Sequence, residues 1–280
     1  MRRRVLLTGA AGTIAGLLLP TLRERYDLRL IDVRGKNREG VAVEGIEITD
    51  LLDLNRDQYR NCFSGVDAVV HCAFLGTADT NQKFTSELRN IQMAYNVYQT
   101  AWEERVRRVV VASSNHAADY YERLILDGEW DVVTPQMKAL SDNYYGWAKD
   151  AYEHLGFVFA VGRVSGRPLE NVQIRIGGPR ETDVSRCEPG NLPCVRRALG
   201  VYISQRDLAQ LFVRSIEAKD ISNERGVPFQ IFYGISANSH AFWSIVNARR
   251  VIGYAPQDNS EIRFAQQIAD HIRAVQDSPM

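Results

Sequence analysis

Val5-Leu6-Leu7-Thr8-Gly9-Ala10-Ala11-Gly12-Thr13-Ile14-Ala15 is the stretch that decides the fold. Three apolar residues, too few for a helix, run into two glycines three positions apart, and a helical pattern from Thr13 to Arg25 follows. Strand, glycine turn and helix in that order open a βαβ unit. A backbone without Cβ lets a pyrophosphate come close, and the N–H groups of a helix's first turn meet its charge. The spacing is Gly9-x-x-Gly12-x-x-Ala15, and alanine at the third position still permits close packing of helix on strand. A glycine-rich strand end is also an ordinary turn, so the reading depends on what lies downstream.

The second strand, Leu28 to Ile31, ends at Asp32, 20 residues after Gly12. A carboxylate there accepts hydrogen bonds from adenosine ribose hydroxyls and repels a 2′-phosphate, which selects NAD over NADP. Arg34, Lys36 and Arg38 nearby read as solvated surface. Val41 to Ile48 is a third strand, and Asp50 beyond it either lies near the adenine or caps a helix. Ala68 to His71 and Val109 to Ala112 are further strands, separated by a helix over about 82–104 in which Ile91, Ala94, Tyr95, Tyr98 and Trp102 recur at helical spacing. Short apolar strands alternating with helices define an α/β fold, a doubly wound parallel sheet of the Rossmann type.

Later elements are a helix over about 142–159 with Ser141 as N-cap, a strand from Val172 to Ile176, and a long loop from Gly177 to Leu199. Ser204 opens a helix running to about Ala218, Phe229 to Tyr233 is a late strand, and helices over 240–249 and 260–276 follow. The expected organisation is an NAD-binding core with the catalytic residues over 1–170. Residues 171–280 supply the remaining strands and a small C-terminal substrate-binding region, continuous with that core.

The 34 basic and 34 acidic residues are evenly spread, so no basic half is available to neutralise nucleic-acid phosphates. Cys62, Cys72, Cys187 and Cys194 show no metal-ligand spacing, and no metal is expected. Cys187 and Cys194 can approach within their loop, but the want of a secretory signal favours free thiols. Arg2-Arg3-Arg4 imitates the start of a signal peptide, yet Gly9, Gly12 and Gly16 interrupt the apolar stretch and Arg23-Glu24-Arg25 follows. No run approaches the roughly 18 apolar residues of a membrane span. The expectation is a cytoplasmic protein.

Tyr145-Gly146-Trp147-Ala148-Lys149 puts a phenol and an ammonium one helical turn apart on one face. A neighbouring cation favours phenolate, which can take a proton from an alcohol as hydride leaves. Upstream, Ala112-Ser113-Ser114-Asn115-His116 follows a buried strand, where a hydroxyl sits at the sheet's C-terminal edge. Gly9, Gly12, Asp32, Ser114, Tyr145 and Lys149, in this order, resemble an extended short-chain dehydrogenase/reductase of the NAD-dependent epimerase/dehydratase family. The resemblance covers nearly the whole chain. It implies that Ser114 orients the substrate oxygen, Tyr145 accepts the proton, and Lys149 binds ribose hydroxyls and assists Tyr145. Asn90 matches an asparagine near the family's active site, and a helix–helix hydrogen bond explains it equally.

Ser113-Ser114-Asn115-His116 with Tyr120-Tyr121, and Gly234-Ile235-Ser236-Ala237-Asn238 with Trp243, are most similar to the uronate dehydrogenases. These oxidise the anomeric carbon of a hexuronic acid to a lactone with NAD. That resemblance implies that Asn115 and His116 hold sugar hydroxyls and that Arg197, ten residues before Asp207, meets the substrate carboxylate. It also implies that Thr13, Ile14, Leu51, Ala73 and Ile176 contact NAD through backbone or packing. The chain departs from the pattern at Gly178, where those relatives have serine, and in expanded segments at 123–140 and 178–196.

Arg175, Arg180, Arg186 and Arg196 make a sugar phosphate conceivable as substrate, and a neutral aldose is another. A nucleotide-sugar epimerase retaining NAD, or an NAD-sensing regulator, would use the same fold. A homodimer or higher homo-oligomer is expected through the helices at 82–104 and 142–159, with Tyr98 or Trp102 either at the interface or in the core.

Overall fold

Among the described residues seven strands form one sheet: β1 (Arg4–Thr8), β2 (Asp27–Asp32), β3 (Ile46–Ile48), β4 (Ala68–His71), β5 (Arg108–Ser114), β6 (Glu170–Ile176) and β7 (Phe229–Gly234). In the computed structural model, which describes residues 2–276, their order is β3-β2-β1-β4-β5-β6-β7 and every neighbouring pair is parallel. The helices are α1 (Thr13–Arg25), α2 (Asp57–Phe63), α3 (Lys83–Glu103), α4 (Tyr120–Leu126), α5 (Tyr144–Val161), α6 (Leu192–Val201), α7 (Gln205–Glu217), α8 (Val246–Ile252), α9 (Ser260–Arg263) and α10 (Ala265–Gln276). None of the described helices is long and apolar enough to cross a membrane.

Parallel strands must bury both faces, and the side-chain alternation of β1 shows how. Val5 and Leu7 join one core with Leu18 and Leu22 of α1 and Leu208 and Phe212 of α7. Leu6 joins the opposite core with Tyr59 of α2, Met93 and Val97 of α3 and Tyr152 of α5. A third, smaller cluster of Val184, Cys187, Val195, Leu199, Tyr202 and Phe264 lies beyond the sheet. The strand order turns back between β1 and β4, which opens a crevice at their C-terminal ends, the usual ligand position in open α/β sheets.

Several sequence expectations shift. The third strand is only Ile46–Ile48, because Asn37 Oδ1 ties down the Val41 N–H (2.8 Å) and Gly45 turns the chain at φ 80°. Helix α5 starts at Tyr144, capped by Asn143, whose side chain accepts the Gly146 N–H; Ser141 is not its cap. Within the stretch expected as loop lies α6, with Asn191 as N-cap and proline in its first turn. The helix placed at 240–249 begins only at Val246, since Phe242 and Trp243 are buried in an irregular segment that bridges to Val133. The last helical stretch is two helices, α9 and α10. Tyr98 is core: its hydroxyl donates to Tyr152 O (3.2 Å) and accepts from Gln173 (2.9 Å). Trp102 is half-buried against Arg167.

Candidate active site

The crevice begins where β1 ends. Gly9 has φ +67°, and a Cβ there would lie 2.5 Å from the Ala73 backbone, so only glycine allows the loops after β1 and β4 to meet. The Gly12 N–H donates to Gly9 O (2.9 Å), and α1 has no side-chain cap, leaving the first-turn N–H groups of Thr13 and Ile14 facing outward from the turn. Ala15 is fully buried against the sheet. Beneath the turn, Thr8 Oγ1 and His71 Nδ1 lie 2.7 Å apart, joining β1 to β4. Burial drives the His71 imidazole down to about 3, with the Lys149 charge adding to the effect, so this tie is between neutral groups.

Asp32, at the end of β2, accepts the Ala11 N–H at 3.0 Å and the Arg34 N–H at 3.1 Å. Two bonds leave acceptor capacity on a carboxylate for a ribose diol. Glycine approach, open helix N-terminus and acidic strand end together fit NAD. Asp50 is a turn cap, its Oδ1 accepting the Leu52 N–H (2.8 Å). Leu51 is buried, and its carbonyl takes the Asn96 side chain (2.7 Å). Ile176 ends β6 in register with Ser114.

Ser114 ends β5 and caps the 3₁₀ turn Asn115–Ala118, its Oγ accepting the His116 N–H (3.2 Å). Helix α5 reaches this turn at Gly146, where a Cβ would lie 2.0 Å from His116 O and 2.2 Å from Ser141 Oγ. That close approach brings Tyr145 beside the turn, its ring 5.6 Å from His116 and 5.4 Å from Phe74, both edge-on. One helical turn on, Lys149 Nζ donates to Ala112 O (3.0 Å) and lies 5.2 Å from the Tyr145 ring centre. His116 Nδ1 pairs with Asp119 Oδ2 (2.7 Å), which also accepts from Asn143 (2.9 Å). Burial works against the Asp119 charge, but hydrogen bonds from His116, Ser141 and Asn143 outweigh it and hold the carboxyl below its usual range. The Asn90 side chain hydrogen-bonds the segment after β4, exchanging bonds with the Leu75 backbone (2.8 and 3.0 Å).

Farther out, Asn115 Nδ2 donates to Glu122 Oε1 (3.0 Å). Arg197 of α6 donates to the same carboxylate through Nε (2.5 Å) and Nη2 (3.3 Å). Burial pushes the Glu122 carboxyl up, and Arg197 opposes the rise. Glu122 had no distinguishing mark in the sequence; Asp119, at i+3 from His116, did. The other arginines are held elsewhere or stand exposed. Arg175 is buried on Glu153 (2.7 Å) and Tyr233 (3.0 Å), Arg180 and Arg186 both face Asp183, and Arg196 is exposed. Contrary to expectation, Cys187 and Cys194 form a disulfide with Cα atoms 5.7 Å apart, because a 3₁₀ turn and the start of α6 fold the loop back on itself. Gly178 has no room for serine without displacement, since a Cβ would lie 2.9 Å from Asp183 Oδ2.

This fold and crevice define a dinucleotide-binding α/β protein. Residues 5–159 match the NAD dependent epimerase/dehydratase family, and the chain belongs to that family. It is 31% identical to a uronate dehydrogenase of Pseudomonas syringae pv. tomato over 99% of this chain and 90% of that one. It is also 31% identical to an NAD-dependent glucose-6-phosphate dehydrogenase of Haloferax volcanii over 93% and 95%. Uronate dehydrogenase from Agrobacterium tumefaciens superimposes with a TM-score of 0.73 at 26% identity, covering 100% of this chain and 91% of that one, and a mutant of it complexed with NAD gives 0.74.

Proposed function

We propose that this chain is an NAD-dependent dehydrogenase that oxidises the anomeric C–OH of a pyranose uronic acid to its lactone. The observation that carries the reading is the grouping of Ser114, His116, Tyr145 and Lys149 at the C-terminal edge of the sheet, beside the Gly9 crevice. NAD, when bound, supplies the hydride acceptor. Gly9, Gly12, Thr13 and Ile14 receive its pyrophosphate, Asp32 its adenosine ribose, and Leu51, Ala73 and Ile176 line the remainder. Asp50 is held by its turn and lies at the adenine end.

In this mechanism Tyr145 Oη takes the proton of the substrate hydroxyl as the C–H bond breaks. The Lys149 ammonium stabilises Tyr145 as the phenolate that accepts this proton, and Ser114 Oγ donates to the substrate oxygen and fixes its direction. His116 gives its Nδ1–H to Asp119, which leaves Nε2 to accept from a sugar hydroxyl. Asn115 takes a second hydroxyl, and Arg197 turns its free edge to the carboxylate.

Residues up to 170 act chiefly on the cofactor and in proton transfer, and those from 171 on complete the sheet and the sugar site. A homodimer belongs to the same proposal, formed through the exposed Phe84 and Leu88 of α3 and Trp147 of α5. A cytoplasmic location follows from the need for a cellular NAD pool. The Cys187–Cys194 link is uncommon in reducing compartments, so the thiol state of protein taken from cells tests the location. Purified protein with NAD and glucuronate should show nicotinamide reduction, and light scattering should give twice the chain mass. No reduction with any uronate overturns the activity, and a single-chain mass at micromolar concentration overturns the dimer.

A further inference from the structure

We infer that Glu122 is a specificity-determining residue of the sugar site: it compensates the charge of Arg197 and fixes the Asn115 amide, so that the site accepts neutral aldoses as well as uronates. This rests on the dehydrogenase reading above. Glu122 lies on α4, 8% exposed, and its two oxygens receive donors from two other segments. Asn115 comes from the turn after β5, and Arg197 from α6, 75 residues along the chain.

The carboxylate accepts only, so Asn115 must turn Nδ2 towards Glu122 (3.0 Å), and its Oδ1 lies on the Ser114 side, 3.5 Å from Oγ. A substrate hydroxyl meeting Oδ1 therefore donates to it, since an amide oxygen only accepts. Arg197 spends its Nε and Nη2 edge on Glu122 and keeps the Nη1 end, on a side chain 39% exposed. A second carboxylate can dock on that end, but it also meets the Glu122 charge. By Coulomb's law, repulsion from a like charge at roughly twice the distance cancels about half of the attraction to the guanidinium. A neutral sugar loses nothing in this way.

The test compares kcat/KM for glucuronate and glucose, at saturating NAD, in wild type and Glu122→Gln. The substitution is isosteric and removes the compensating charge. Rearrangement of Asn115 lowers activity on both sugars and cancels in their ratio. Wild type should turn over both, and the glucuronate-to-glucose ratio should rise about tenfold in the variant, mainly through KM for glucuronate. An unchanged or falling ratio overturns the inference, as does wild type with no glucose activity. Salt dependence gives a reading on wild type alone, should Glu122→Gln fail to fold. A compensated arginine predicts a nearly flat glucuronate KM from roughly 0.05 to 0.5 M NaCl, and a several-fold rise overturns the claim. Wild type inactive on both sugars removes the dehydrogenase reading and this inference together. Activity on glucuronate with a falling ratio removes the inference alone.

Discussion

At the cofactor end of the crevice every contact engages the main chain: Gly9 against the Ala73 backbone, the Ala11 N–H on the Asp32 carboxylate, the Gly12 N–H on Gly9 O. At the sugar end the contacts are side chain to side chain, Asn115 and Arg197 on Glu122, His116 and Asn143 on Asp119. These contacts demand particular residue types, glycine where one backbone approaches another and a carboxylate at the strand end. Side-chain pairs such as Glu122–Arg197, 75 residues apart, demand only complementary groups, which many sequences supply. The first end is therefore tightly constrained, and the second is where a change of substrate costs least.

The largest effect should come where the two ends meet. Tyr145→Phe removes the proposed proton acceptor and should lower turnover by about 10²- to 10⁴-fold while NAD still binds. Near-normal turnover in the folded variant would remove the division of labour between the two ends. Next comes the main-chain contact itself. Gly9→Ala drives a Cβ into the Ala73 backbone at positive φ and should cost about 3 kcal/mol of stability with loss of NAD binding. Gly40→Ala is its control, with φ +79° but open space around the added carbon, and should cost only about 1 kcal/mol with NAD affinity unchanged. Equal effects on NAD binding would show that close approach is not what Gly9 provides.

The same contrast explains what could be read from the sequence. The glycine turn, Asp32, the doubly wound order and the Tyr145/Lys149 pair follow from local spacing, and α3 and α5 from their periodicity. In α3 the buried side is Met93, Ala94, Val97, Tyr98 and Ala101, so Tyr95 is exposed although it lies within the apolar pattern. Helix α6 went unseen because Gly190 and Pro193 read as loop, while Asn191 as N-cap with proline in the first turn was the available signal. The Cys187–Cys194 bond and the Glu122–Arg197 pair depend on how α6 folds back, which no local pattern records. The sugar end was legible only through resemblance.

Asp32→Ala should cost NAD about 2 kcal/mol in binding and bring NADP level with it, read by titrating both cofactors. An unchanged preference would mean that Asp32 serves the Ala11 N–H alone. Reducing Cys187–Cys194 should have the smallest effect, since the bonded cysteines are only 7 residues apart: about 2 kcal/mol at most, confined to the sugar end. Denatured, unreduced protein should titrate two thiols, Cys62 and Cys72. Four thiols would show that the link does not form, and a loss of NAD affinity on reduction would show that the two ends are coupled.

The central claim is that the constrained end and the adaptable end together oxidise a sugar acid. Steady-state NAD reduction with glucuronate, galacturonate, glucose and glucose 6-phosphate tests it most directly. The account predicts the highest kcat/KM on the two uronates, with lactone as product and glucose trailing. Preference for glucose 6-phosphate, or turnover of glucose with none of either uronate, would contradict it.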